Sequence, residues 1–181
     1  MGCLGCLENG DRPTQTAMQN LSDNPFEDLD EKAKKLFKAC ACKELHFQTL
    51  EDDLDEATLN SKDKNEMNIF HVILVYPKEE SLKTKKHDTP HRKKVVGIIE
   101  AICQKFPEQV KKMMLQKDVH GRTPLHYGGI IDVDNEEEDS NITLALLKHG
   151  ADKALFMKDR KQERPVSFIG TSNLRAHLDT K

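Results

Sequence analysis

The sequence has no tryptophan and only two tyrosines among 181 residues, so the large amphipathic side chains that usually anchor tight interfaces are scarce. No apolar run approaches the roughly 20 residues that span a bilayer, and the first residues lack the apolar core of a secretory signal. The expected compartment is therefore cytoplasmic or nuclear. Five cysteines (Cys3, Cys6, Cys40, Cys42, Cys103) make an odd, clustered set that is no disulfide framework, and they read as reduced thiols. An excess of positive charge is missing too. The balance of 28 Lys and Arg against 31 Asp and Glu leaves a net charge of -3, and phosphate recognition needs a basic face, so direct nucleic-acid binding is not expected. Also lacking are a Ser/His/Asp or Cys/His arrangement in a supporting context, a phosphate-cradling glycine loop and paired metal ligands at helical spacing. The chain reads as a non-enzyme with no cofactor and no metal.

What is present is chiefly local backbone chemistry. An apolar fraction of 36% beside a charged fraction of 33% suits thin, two-layer architectures that expose much surface. The clearest stretch is Asp118-Val119-His120-Gly121-Arg122-Thr123-Pro124-Leu125-His126. Gly121 supplies the left-handed backbone of a tight turn, Thr123 is an N-cap, and Pro124 takes the first helical position. A turn therefore feeds directly into a helix.

This stretch resembles the signature of the ankyrin repeat, an acidic residue and a turn glycine followed by Thr-Pro-Leu-His opening the first of two helices. Asp63-Lys64-Asn65-Glu66-Met67-Asn68-Ile69-Phe70-His71 is a degraded copy in which Asn68 replaces the capping Thr, while Glu66 and Ile69 stand where Gly and Pro would. Asn65 tolerates the left-handed conformation better than Glu does, so a looser turn, displaced by one residue, is expected there. Lys148-His149-Gly150-Ala151-Asp152 matches the family's helix ending, with Gly150 as a left-handed cap. Asp159 to Val166 begins a further unit, with Arg164 and Ser167 in place of Thr and His. A last short helix containing Leu174 and Leu178 is expected after Thr171 or Ser172. At the other end, Asn24-Pro25-Phe26-Glu27 reads as a helix start with Leu29, Ala33, Leu36, Phe37 and Cys40 on one face, followed by a second helix from Glu44. Cys40, Cys42 and His46 could be drawn as metal ligands, but Cys40 and Ala39 fall where small helix-packing residues belong, and packing is the expected role.

The resemblance implies an all-α ankyrin-repeat solenoid of about three to four helix-pair units, over about residues 24–58, 59–116, 117–157 and 158–181, behind a tail at 1–23. In that pattern His71 and His126 are structural. Asp118 follows Asp63 by 55 residues and Asp159 follows Asp118 by 41, against a family period of about 33. The excess lies in two long insertions between the helices of a pair, one basic (Lys83, Lys85, Lys86, Arg92, Lys93, Lys94) and one acidic (Asp132, Asp134, Glu136 to Asp139). Equivalent loops of stacked repeats emerge side by side, so the two are expected to attract each other. The basic stretch doubles as a candidate nuclear-import signal, and Thr89-Pro90 within it as a proline-directed phosphorylation site.

The implied function is protein binding by a monomer, through the turn tips and the first-helix surface. The tip candidates are Lys64, Asn65 and Glu66, then Val119, His120 and Arg122, then Arg160, Lys161 and Gln162, with Tyr127 as the aromatic anchor. One version is an inhibitor resembling the cytoplasmic ankyrin inhibitors of Rel-type (NF-kappa-B) transcription factors. Another is a membrane-tethered adaptor, since Gly2 with Cys3 and Cys6 looks like an acylated N-terminus. Position 6 departs from the Ser or Thr of the myristoylation pattern, and the acidic residues that follow would oppose an anionic membrane.

Overall fold

The computed structural model describes residues 24–41, 50–76, 89–132, 141–170 and 174. Gly2, Cys3 and Cys6, Cys42, His46, most of the basic stretch and the acidic residues from Asp134 to Asp139 lie outside the described residues. Within them the protein is all-α, with helices α1 (Glu31–Ala41), α2 (Glu56–Asn60), α3 (Ile69–Val75), α4 (Thr89–Lys105), α5 (Pro107–Met113), α6 (Pro124–Ile131) and α7 (Ile142–Lys148). Single 3-10 turns follow at Ala151–Ala154 and Pro165–Ser167.

Several of the helices begin where a side chain satisfies their first N–H groups. Asn68 accepts from the N–H groups of Phe70 and His71 to open α3, and Asn141 accepts from Leu144 to open α7. Asp55 and Thr58 form a reciprocal capping box around α2, a helix the sequence reading missed. Gly150 takes the expected left-handed conformation at φ 101°, ending the segment after α7.

Packing arranges these helices in rows. α1 lies against α3 and α3 against α6; α4 lies against α7; α2 lies against α5. Every residue of α3 is buried, so it crosses the core with no solvent face, and its start is set by the Asn68 cap rather than by amphipathic periodicity. α6 approaches its neighbours unusually closely. A Cβ on Gly128 would sit 2.8 Å from Leu146 Cδ1 of α7, and one on Gly129 would sit 3.0 Å from Ile169 Cγ1, so a side chain at either position requires its neighbour to shift.

Several expectations are corrected. α1 starts at Glu31, with the Ala33 N–H donating to Asp30 at 2.8 Å, and not at Pro25. Residues 24–29 form turns instead, because Phe26 is drawn into the core edge-on to Phe37 and Tyr76. α4 begins at Thr89, so Arg92, Lys93 and Lys94 are helical and not part of a loop. Pro165–Ser167 forms one 3-10 turn where a repeat helix was expected. Leu50, on the stretch expected as a second helix from Glu44, is by contrast helical and fully buried, as an inward-facing position there requires.

Candidate functional site

Three turns repeat one set of hydrogen bonds. In each, an aspartate carboxylate folds back onto the two N–H groups that the turn would otherwise leave bare. Asp63 Oδ1 accepts from Asn65 and Met67, both at 2.8 Å; Asp118 Oδ1 accepts from His120 at 2.8 Å and Arg122 at 2.9 Å; Asp159 Oδ1 accepts from Lys161 at 2.8 Å and Glu163 at 2.9 Å. The backbone closes each loop in the same way, the aspartate N–H donating to the carbonyl four residues on at 3.0, 2.9 and 2.9 Å. The fourth position of every turn has positive φ: Glu66 at 57°, Gly121 at 75° and Gln162 at 65°. The turn at Asp63 is therefore neither loose nor displaced to Asn65; Glu66 is held in a conformation that its side chain disfavours.

Consecutive turns are joined through the main chain. Lys64 N–H donates to Pro25 O at 3.0 Å, Val119 N–H to Asn65 O at 3.0 Å, and Arg160 N–H to His120 O at 2.9 Å. The two histidines join them again from beneath. His71 Nε2 lies 3.0 Å from Arg122 O, and His126 Nε2 lies 3.4 Å from Glu163 O. A carbonyl only accepts, so Nε2 carries the proton and Nδ1 is left to accept, from the Asn68 N–H at 3.3 Å and the Thr123 N–H at 3.0 Å. Burial of both rings at 0% exposure lowers their pKa values to about 4. With both nitrogens occupied and no exposed edge, each ring ties the start of its own helix to the turn that follows.

The second oxygen of each aspartate takes a different donor. Tyr76 donates to Asp63 Oδ2 at 2.8 Å, Tyr127 to Asp118 Oδ2 at 2.6 Å, and Arg122 Nε to Asp159 Oδ2 at 3.0 Å. Both tyrosines of the chain are thus consumed inside it, and burial and the facing carboxylates push their phenols well above the usual range. Burial raises Asp63 against the opposing N–H bonds, from Met67 first. At Asp159 burial would do the same, but Arg122 and the Glu163 N–H outweigh it and hold the carboxyl below its ordinary value.

Three proposed contact residues are consequently not on the surface. Arg122 is 1% exposed, tied to Asp159 and, at 3.2 Å, to Glu163, with its guanidinium carbon 5.7 Å from the Tyr127 ring centroid. Tyr127 is buried against Asp118, and Asn65 is buried with its amide donating to the Tyr76 hydroxyl at 2.7 Å. Lys64, Glu66, Arg160, Lys161 and Gln162 are exposed, while Val119 and His120 are half-buried. The tips therefore form one edge of seven candidate positions, held in register by backbone. Lys64 also pairs with Glu27 at 2.6 Å.

At the opposite ends of the helices, residues of the basic and acidic stretches meet at Arg92 and Asp132. Arg92 donates to Asp132 and to Ile131 O, both at 2.9 Å, while the second Asp132 oxygen accepts the Thr143 N–H at 2.6 Å. Thr89 is the first residue of α4. Among the described residues no helix is long and apolar enough to cross a membrane. Cys40 is buried in the core, and burial raises the Cys103 thiol to about 12. A scan against protein-family models finds no match, and a comparison with curated proteins finds none either.

Proposed function

We propose that this chain is an ankyrin-repeat solenoid of three to four units whose function is to bind a protein partner, without catalysis, along the edge formed by its turn tips. The observation that carries the reading is the threefold repetition of the aspartate turn, with each turn hydrogen-bonded to the next. Such an edge separates two tasks. The Asp, His and capping residues build it from within, and the exposed side chains of Lys64, Glu66, Arg160, Lys161 and Gln162, with parts of Val119 and His120, are left with no structural duty shared by all three turns. Flat arrays of this kind recognise partners by many moderate contacts over a preformed surface, which limits the ordering entropy lost on binding.

The test is affinity capture with the wild-type chain and with a tip variant carrying Lys64→Ala, Glu66→Ala and Gln162→Ala. All three side chains are exposed, so the variant should keep the fold and lose partners. Equal capture by a folded tip variant would remove the tip edge as the binding surface. Arg122 and Tyr127 are unsuitable probes, because changing them perturbs the core.

A further inference from the structure

The surface between residues 150 and 170 departs from the charge balance of the rest. Every exposed charged side chain in that interval is a cation: Lys153, Lys158, Arg160, Lys161 and Arg164. The acids interleaved with them are withdrawn. Asp159 is buried and Glu163 half-buried, both engaged by Arg122, and Asp152 is half-buried. A chain whose net charge is -3 thus presents a locally basic end.

The same interval carries the exposed large apolar side chain of the described residues, Phe156, at 66% exposure. It belongs to the same strip as the cations. Asp159 N–H donates to Glu163 O at 2.9 Å and Val166 N–H to Leu155 O at 3.2 Å, so the chain doubles back on itself as a short antiparallel loop. Lys158 and Arg164 flank the Asp159 to Glu163 bond in sequence, and Phe156 is one residue from the Leu155 to Val166 bond. The tip residues Arg160 and Lys161 stand at the loop's end. An exposed aromatic side chain in a segment whose exposed charged side chains are all cations has an apolar face to bury and a local field that favours negative charge.

We infer that this strip binds an acidic segment of a partner protein that carries an apolar residue among its carboxylates, seated on Phe156. The inference rests on the protein-binding reading above and names the partner chemistry for one end of the edge. A peptide fits better than a nucleic acid because the chain as a whole is acidic, so a long polyanion meets repulsion beyond the strip whereas a short acidic segment does not.

The test uses the full chain and a fluorescein-labelled peptide with a Leu-Phe pair set among Glu and Asp residues, followed by anisotropy. Binding is expected at about 50 mM salt and should weaken steeply by about 300 mM. Phe156→Ala, or replacing the Leu-Phe pair by serines, should each weaken binding about tenfold, and combining them should add little more. The charge reversal Lys158→Glu with Arg164→Glu should abolish binding, and the milder Lys158→Gln with Arg164→Gln should weaken it if the reversal disturbs folding. No binding at low salt, indifference to these changes, or tighter binding of a single-stranded oligonucleotide of equal charge would each overturn the inference. The two readings fail separately. Capture lost by the Lys64/Glu66/Gln162 variant but unaffected by Phe156→Ala and the neutralised pair would keep the binding edge and sink the acidic-segment strip. Capture indifferent to both sets would sink the edge itself.

Discussion

Removing Arg122 should destabilise this protein more than any other single change at the turns. In Arg122→Ala, the Asp159 side chain, 1% exposed, loses its guanidinium. Breaking a buried ion pair by deleting one partner commonly costs about 3–5 kcal/mol, because the remaining charge stays desolvated. Two features pull the value toward the lower end. Asp159 Oδ1 keeps its bonds from Lys161 and Glu163, and Glu163, with a third of its side chain exposed, is rehydrated easily. A loss of about 3 kcal/mol is therefore expected, and with a urea dependence of about 2 kcal/mol per molar it moves the unfolding midpoint down by about 1.5 M. Circular dichroism in urea reads this directly. Asp159→Asn in the Arg122→Ala background should recover part of the loss, since the stranded charge is then absent. Because the folded Asp159 pKa is depressed, its stabilisation is present above the unfolded carboxyl value and lost as pH falls through the folded one, so the Arg122→Ala penalty should shrink in acid. A midpoint shift below about 0.3 M, or no recovery with Asp159→Asn, would refute the buried pair as described.

Other perturbations follow the same turns. His71 and His126 are neutral in the fold with pKa values near 4, so their contribution is complete above about pH 6.5 and declines as pH falls toward 4; urea midpoints across that range should drop, and less so in His126→Gln. Glu66→Gly should raise stability by up to about 1 kcal/mol by relieving a left-handed residue, whereas Gly121→Ala should lower it by about 1–3 kcal/mol, its new methyl meeting Arg160 N at 3.1 Å; thermal melts would show opposite signs. Tyr127→Phe strips the Asp118 carboxylate of a donor at 3% exposure and should cost about 1–3 kcal/mol in the same melts with little change in volume.

The parts of the fold that could be read in the sequence are those where one residue performs one backbone task. Gly121, Thr123, Pro124, Asn68 and Gly150 each serve a local conformation, and each sits where its chemistry says. Arg122 was unreadable because a charged tip residue ordinarily faces water, and its partners stand 37 and 41 residues further along the chain. Tyr127 and Asn65 misled for the same reason, since their polar ends are satisfied inside by Asp118 and Tyr76. Glu66 shows register overriding preference: the fixed spacing from Asp63 forces it into a conformation that Asn65 would adopt more easily. At Pro25 the local signal for a helix start was genuine but outweighed, as the burial of Phe26 and the bond from Lys64 to Pro25 O hold the segment as a turn.

The joints between neighbouring turns, from Lys64 to Pro25, Val119 to Asn65 and Arg160 to His120, are made by main-chain atoms on both sides. A joint of that kind is indifferent to the identity of the residues that form it, provided they are not proline on the donor side. Mutation can therefore rewrite the outer face one position at a time while the join persists. Even the seemingly fixed steps need not be equal, because lengthening the chain between turns leaves the join itself untouched.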